Sequence, residues 1–98
     1  MVEPLNIEWS ENASKNLDVF YKYLLDEWSF REAEKFLDQV QEFEFTISYF
    51  PKSFVQSKKR KRYRIGLIHR YVSAIYEVRK SGIVIIALID NRSNKKVR

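Results

Sequence analysis

The sequence contains no cysteine among its 98 residues, and it has only two glycines, two prolines and one histidine. Without thiols, a disulfide framework, a thiolate metal site and a cysteine nucleophile are excluded, and the composition fits a reducing compartment. So few glycines and prolines, with no repeats, argue against disorder. Because His69 is the single imidazole and no His/Asp/Glu cluster has metal-ligand spacing, we expect no metal ion and no other cofactor.

Long apolar runs and glycine-rich loops are also missing. The longest apolar run, Ile83–Ile89, is far too short to cross a bilayer. The first residues, MVEPLNIEW, lack the basic and apolar regions of a secretory signal, so a cytoplasmic protein without a membrane partner is expected. Neither G-x-x-x-x-G-K-[ST] nor G-x-G-x-x-G occurs, so a glycine-rich phosphate loop is not supported.

The sequence has enough apolar residues for one core, and its charge is unevenly distributed along the chain. With 45% hydrophobic and 15% aromatic residues, residues 1–98 are expected to form a single domain. Residues 1–50 carry four Lys/Arg against eleven Asp/Glu, a balance of −7, whereas residues 51–98 carry fourteen against two, a balance of +12. This asymmetry predicts a cationic face that meets a polyanion or an acidic partner; the alternative is a merely solvated surface.

A short strand and a helix are predicted at the N-terminus. Residues Leu5–Trp9 alternate apolar and polar with period two, which is typical of a half-buried strand. Ser10 is a suitable N-cap for a helix over about Glu11–Glu27. One apolar stripe at spacings of three and four supports that helix: Ala13, Leu17, Phe20, Tyr21, Leu24 and Trp28.

A second helix follows after a short connection. Ser29 and Glu32 have the spacing of a capping box, in which each side chain would accept from the other residue's backbone N–H. Pro51 cannot continue a helix and is expected to end it. Because the connection at Trp28–Phe30 is so short, the two helices are predicted to form an antiparallel hairpin.

After the predicted loop Pro51–Ser57, the apolar period changes from helical to strand-like. Residues Arg62–Ile68 and Val72–Val78 alternate with period two, and Lys80–Gly82 is a turn signal leading into Ile83–Ile89. The continuous apolar run of the last segment is typical of a central strand covered on both faces.

The expected fold is therefore α+β: an N-terminal strand, an antiparallel helical hairpin, then a three-stranded antiparallel meander in one sheet. We expect the first strand beside the last one at the sheet edge, in an antiparallel sheet. The helices are expected to face alternate residues of the middle strands: Tyr63, Ile65, Val72, Ala74 and Tyr76.

The residues available for chemistry are cationic and aromatic. They are Lys58, Lys59, Arg60, Lys61, Arg62, Arg64, His69, Arg70, Tyr71, Arg79 and Arg92. Such a set can bind phosphates and stack unpaired bases. It could also cleave RNA without a metal, which requires a base, cations for the phosphorane charge and an acid. Arg64 and Arg92 would supply charge, and His69 or Tyr71 would transfer protons; otherwise His69 is a turn residue and Tyr71 a core or rim aromatic.

Arg64 is the strongest single candidate. It lies in mid-strand, on the face opposite Ile65, where an unpaired surface arginine would be a poor use of a strand position. A structural salt bridge to Glu77 on the neighbouring strand is the competing explanation.

The order of these motifs resembles the RelE/ParE superfamily of bacterial toxins from type II toxin–antitoxin modules. The segments that carry the resemblance are "IEWSENASKNLDVFYKYL", "FP" after the second helix, "RIGLIHRYVSAIYEV" and "IIALIDNRSNKK". Together they extend over nearly the whole chain, and their order and spacing are more specific than any of them alone.

The resemblance implies a growth-inhibiting or plasmid-stabilising toxin that is held in a hetero-oligomer by a cognate antitoxin covering the basic surface. Arg64 and Arg92 match recurrent arginines that contact the scissile phosphate in ribosome-dependent, mRNA-cleaving members. Lys58–Arg62 resembles the basic segment that those members use on RNA, and Arg70 is grouped with it as a binding residue.

The end of the sequence favours one branch. Asp90, Arg92 and Asn94 form a D-x-R-x-N ending, which is more typical of the ParE branch, whose characterised members poison DNA gyrase and are not nucleases. Lys95 stands where many members have Pro, and no Tyr or His follows Arg92, unlike many RNA-cleaving members. We therefore expect action on gyrase; the alternatives are a ribosome-dependent mRNA endonuclease and a non-toxic nucleic-acid-binding module.

Overall fold

The computed structural model describes residues 3–92 and has the expected α+β architecture. Its elements are β1 (Ile7–Trp9), α1 (Glu11–Glu27), α2 (Phe30–Tyr49), β2 (Val55–Gln56), β3 (Tyr63–His69), β4 (Val72–Arg79) and β5 (Gly82–Asp90). The helical hairpin and the antiparallel meander β3–β4–β5 are confirmed. The last four residues of the segment IIALIDNRSNKK, 93–96, lie outside the described residues.

Both helices begin at their capping serines. Ser10 Oγ accepts from the Ala13 N–H at 3.0 Å, and Ser29 Oγ accepts from the Glu32 N–H at 3.1 Å. The capping box is only half formed, because the Ser29 N–H donates to the Leu24 carbonyl oxygen at the end of α1. Neither helix has the length and apolar character needed to cross a membrane, within the part of the chain that the structure describes.

The five strands form one sheet in the order β1-β5-β4-β3-β2. The first strand lies beside the last one, as expected, but the two run parallel, with Ile7 opposite Ile83. The expectation of a fully antiparallel sheet is therefore wrong for this pair. The rest of the domain provides the long crossover that parallel neighbours require. Val55–Gln56, expected to be loop, forms a short edge strand opposite Ile65 and Arg64.

A β-bulge decides which side chains of β3 face the helices. Next to the two-residue turn, His69 pairs with Val72, but Leu67 pairs with Ser73, so Ile68 is one extra residue in β3. One extra residue reverses the alternation of every side chain beyond it. Leu67 consequently points away from the helices and is 59% exposed, whereas Ile68 is buried.

This reversal corrects part of the predicted core face. The prediction holds for three β4 residues, which are all buried: Val72, Ala74 and Tyr76. It is wrong for Tyr63 and Ile65, which lie on the other face of the sheet. Arg64 and Gly66 face the helices instead, because they pair with Tyr76 and Ala74 of β4. The one-residue bulge is the physical reason, since an unbroken ladder from the same turn would have produced the expected facing.

The core lies between this face of the sheet and the two helices. Its largest fully buried side chains come from α2, β4 and β5: Phe36, Ile47, Tyr76, Ile83 and Ile85. Each such side chain contributes about 1.5–3 kcal/mol of transfer free energy. Packing is tight at Gly66, where an added Cβ would lie 2.7 Å from Phe43 Cε1 and 2.8 Å from Phe54 Cγ. The glycine thus lets two aromatic rings lie directly against β3.

Candidate functional site

The candidate residues separate into two groups at opposite ends of β3. Residues 58–62, here called the basic loop, connect β2 to β3. His69, Tyr71 and Arg92, here called the Arg92 cluster, lie where the β3–β4 turn meets the end of β5, and Arg70 adjoins them. At about 3.3 Å per residue, the seven residues of β3 span roughly 20 Å. The structure therefore does not bring the two groups together.

The basic loop is held by its backbone while its charges are exposed. Ser57 Oγ accepts from the Arg60 N–H at 3.2 Å, and the Arg60 carbonyl accepts from the Tyr63 N–H at 2.9 Å. The Lys61 carbonyl accepts from Gln56 Nε2 at 3.0 Å. These bonds give the loop a defined path into β3. Its cations remain in water, where they act through their summed field more than through fixed contacts.

Arg64 is turned towards the helix side of the sheet, away from the open face. Its Nη1 donates to the Phe54 carbonyl oxygen at 2.7 Å. Opposite it, Tyr76 Oη donates to the Pro51 carbonyl oxygen at 2.7 Å, and burial raises the pKa of this hydroxyl. Together the two side chains fasten the segment between α2 and β2. The proposed Arg64–Glu77 salt bridge is not formed, because Glu77 lies on the other face of the sheet.

Glu77 is paired instead with an arginine of its own strand. Arg79 Nη2 lies 3.0 Å from Glu77 Oε1, and Arg79 Nε donates to the same oxygen at 3.1 Å. Half of the Arg79 side chain is exposed, so this pair contributes little to stability.

Arg92 is held in a cage of one carboxylate and two aromatic rings. Its guanidinium donates to both oxygens of Asp90, at 3.2 and 3.1 Å. The Arg92 Cζ lies 4.8 Å from the ring centroid of Tyr71 and 5.3 Å from that of Tyr23. The hydrogen bonds that Arg92 donates to Asp90, and then the one to Tyr23, raise the pKa of Arg92. Arg92 is thus a permanent cation with a fixed position, although much of its hydrogen-bonding capacity is already used.

His69 is placed as a neutral imidazole. Its ring packs edge-on against Phe36, with 5.9 Å between centroids, and burial is the main cause that lowers its pKa. Nearby charges act in both directions, Glu32 raising the pKa and three cations lowering it: Arg70, Lys35 and Arg92. Nδ1 accepts from the Tyr71 N–H at 3.2 Å. A neutral ring that accepts at Nδ1 carries its proton on Nε2, which is therefore a donor and not a general base.

Arg64 and Arg92 are too far apart to act on one phosphate. Arg64 pairs with Tyr76, whereas Asp90 pairs with Val72, four residues further along β4. That offset alone is about 13 Å along the strand, and β3 and β5 lie on opposite sides of β4, about 10 Å apart. The two guanidinium groups are also directed to different partners, as described above. Of the four residues predicted for catalysis, three lie together and Arg64 does not.

A cleft of ≈370 Å³ opens beside the Arg92 cluster, between the helical hairpin and the β3–β4 turn. His69, Arg70 and Tyr71 form one wall, and Trp28 and Lys35 are on the other. Within residues 3–92, no group of three or more His, Asp or Glu side chains is placed to hold a metal ion. The cleft is lined by aromatic rings, two cations (Lys35 and Arg70) and one carboxylate (Glu32).

Sequence reasoning missed the helix side of this cleft. The predicted apolar stripe of α1 includes Trp28, but this residue is 50% exposed at the C-cap of that helix. Gln39 also lines the cleft, and its Oε1 is buried without a hydrogen-bond partner among the described residues. The sequence did contain one indication of an exposed indole: Trp28 lies in the connection between the two helices, and a tryptophan at such a position is seldom fully buried.

The comparisons with known proteins agree with this fold. A family model described as the ParE toxin of the type II toxin-antitoxin system parDE matches residues 7–95. A solved chain of the chromosomal ParDE TA system from P. aeruginosa superposes with a TM-score of 0.74 at 17% identity, over 88% of this chain and 95% of that one. A chain of the YoeB dimer from Staphylococcus aureus gives a TM-score of 0.57 at 18% identity, over 87% and 94%. No curated protein sequence matches.

The structural matches establish the fold, and the family model establishes the family. At 17% and 18% identity, the two solved structures are similar to this chain in the arrangement of helices and strands. The family model extends from the start of β1 to beyond the end of β5, so it includes both helices, the whole sheet and the Arg92 cluster. The chain therefore belongs to the ParE toxin family of type II toxin–antitoxin systems.

Proposed function

We propose that this toxin inhibits growth by binding DNA gyrase and that a cognate antitoxin neutralises it. The main reason to propose target binding, and not RNA cleavage, is that Arg64 lies far from Arg92. In-line cleavage needs a base, an acid and charge stabilisation at one phosphate, within hydrogen-bond distance of the reacting atoms. Here one arginine fastens a loop and the other is held by Asp90. The choice of gyrase rests on the resemblance of the sequence to the ParE branch.

Charge supports the antitoxin partner. The cationic second half of the sequence, with its exposed basic loop, is complementary to an acidic protein segment. Such complementarity accelerates association and favours one partner over others. The similar chain from P. aeruginosa is part of a ParDE TA system, and by this likeness we propose that an antitoxin covers the basic surface here in a hetero-oligomer.

A second candidate function is ribosome-dependent mRNA cleavage, and one observation favours it. His69, Tyr71 and Arg92 lie together beside an open cleft, with 5.9 Å between the His69 and Tyr71 ring centroids. These groups include a proton-transfer candidate and a cation. The Nδ1 contact of His69 and the Asp90 pairing of Arg92 count against it, since both groups would have to change partners before they could act.

Inducible expression of the intact chain separates these functions. Gyrase action predicts loss of supercoiling with DNA breaks, and purified chain should inhibit supercoiling by purified gyrase. The endonuclease predicts new 5′ ends in ribosome-bound mRNA and no change in gyrase activity. If a neighbouring reading frame encodes a short acidic protein, its co-expression should restore growth in either case. Normal growth without it, together with unaffected supercoiling and mRNA, would leave the non-toxic nucleic-acid-binding module.

A further inference from the structure

The cleft beside the Arg92 cluster combines an uncovered ring with cations. The Trp28 side chain is half exposed at the C-cap of α1. Lys35 and Arg70 lie on opposite walls, and both are exposed. One carboxylate, Glu32, also lines the cleft, so the cations outnumber the acid. The two features together fit a ligand that is planar at one end and anionic at the other.

The lining of the cleft also contains polar groups that a ligand could satisfy. Gln39 Oε1 is buried and lacks a hydrogen-bond partner among the described residues, and a buried acceptor of this kind is costly unless a ligand or water satisfies it. His69 also lines the cleft, and its Nε2 carries the ring proton because its Nδ1 is an acceptor. A ligand with donors and acceptors along the edge of an aromatic ring could satisfy both groups.

We propose that this cleft binds one unpaired nucleotide, with its base stacked on Trp28 and its phosphate between Lys35 and Arg70. A base supplies the flat ring and the polar edge, and a phosphate supplies the anion. The volume of ≈370 Å³ falls within the range of about 300–1,000 Å³ typical of small-ligand sites. A free nucleoside monophosphate and an unpaired nucleotide of single-stranded nucleic acid share this chemistry.

The site is separate from the proposed target. Gyrase inhibition depends on a protein–protein surface, and a chain that failed to inhibit gyrase could still bind a nucleotide here. The basic loop provides the internal control, since it carries more charge than the cleft but lies at the other end of β3 and has no indole beside it.

Tryptophan fluorescence locates the binding. The sequence has two tryptophans, and Trp9→Phe leaves Trp28 as the only reporter; it removes the 2.7 Å hydrogen bond from Trp9 to Glu44, on another part of the surface. This variant is titrated with adenosine monophosphate and with a single-stranded DNA hexanucleotide. Saturable quenching by either probe supports the site, and the tighter probe identifies the source of the nucleotide. Equal quenching by inorganic phosphate alone would overturn base stacking.

Matched variants in the otherwise unchanged full chain assign the contacts by calorimetry. Trp28→Ala should weaken the affinity for the tighter probe by about 5- to 150-fold, the range of base–aromatic stacking, and Trp28→Phe should weaken it less. Lys35→Ala and Arg70→Ala should each reduce affinity several-fold and lower its dependence on salt. Gln39→Leu should reduce affinity without lowering the Tm. Lys59→Ala removes the same charge from the basic loop and should have little effect.

Two results would contradict the proposal. If Lys59→Ala weakens binding as much as Lys35→Ala, the nucleotide is bound by diffuse charge and not in the cleft. If a decaglutamate peptide quenches Trp28 and neither nucleotide probe does, the cleft takes an acidic protein segment instead. Thermal unfolding of every variant shows that loss of binding is not loss of the fold.

Discussion

Replacement of Arg64 tests whether this residue anchors a loop or belongs to the functional surface. Its bond of 2.7 Å to the Phe54 carbonyl comes from a charged donor, and such bonds contribute about 1.5–3 kcal/mol when well shielded. Since Arg64 is only half-buried, we expect a loss of about 1–2 kcal/mol in Arg64→Ala. For a domain of this size, the Tm should fall by about 4–16 °C.

The measurement combines thermal unfolding by circular dichroism with growth after induced expression, at a temperature where the variant remains folded. Arg79→Ala is the matched control, because it removes an exposed arginine of the next strand and should shift the Tm much less. If Arg64 is an anchor, Arg64→Ala should melt earlier but should keep the growth inhibition proposed for the wild type. A variant that melts like the wild type and no longer inhibits growth would refute the anchor and make Arg64 a functional residue.

Three further perturbations test the packing and the pH dependence. Gly66→Ala places a methyl group within 2.9 Å of two aromatic rings and should cost about 1–3 kcal/mol in chemical denaturation; Phe54→Leu in the same chain should recover part of the loss. Tyr76→Phe leaves the Pro51 carbonyl without its donor and should lower stability by about 1 kcal/mol, measured by urea unfolding. Because burial lowers the folded-state pKa of His69, the unfolded chain binds its proton first as the pH falls below about 6.5. The Tm should therefore decrease from pH 7.5 to 5.5, and less so in His69→Gln; equal decreases would show that other groups dominate.

The order of helices and strands was predictable because apolar residues recur with different spacings in the two kinds of element, and because capping and helix-ending residues mark where the helices begin and end. The capping serines and Pro51 placed both helices to within a residue or two, and the change to period two placed the strands of the meander. β2 was not predictable, since two residues are too few to show a period. The bulge at Ile68 was missed for a different reason: nothing local in the sequence distinguishes a bulged residue from a regular one.

The candidate site was predictable only where its residues are neighbours in sequence. His69, Arg70 and Tyr71 are consecutive, so their proximity follows from a turn. Their meeting with Arg92 depends on the register of β4 and β5, and the opposite wall of the cleft comes from the helical hairpin. The position of Arg64 was unpredictable for a similar reason. Its residue type indicated a role, but the bulge in β3 determines which face of the sheet it occupies.

The parallel pairing of β1 with β5 has a consequence for synthesis on the ribosome. β5 is made last among the described strands, yet it is the neighbour that β1 pairs with, and its backbone also bonds the start of α1, through the Ile85 and Ile86 carbonyls to Ser10. The Leu88 N–H likewise donates to Asn16 of α1. A nascent chain that has not yet released β5 can form its helical hairpin but cannot close the sheet. Translation that stops before β5 should therefore yield an unstable fragment, and the domain becomes able to fold only after β5 has left the ribosome.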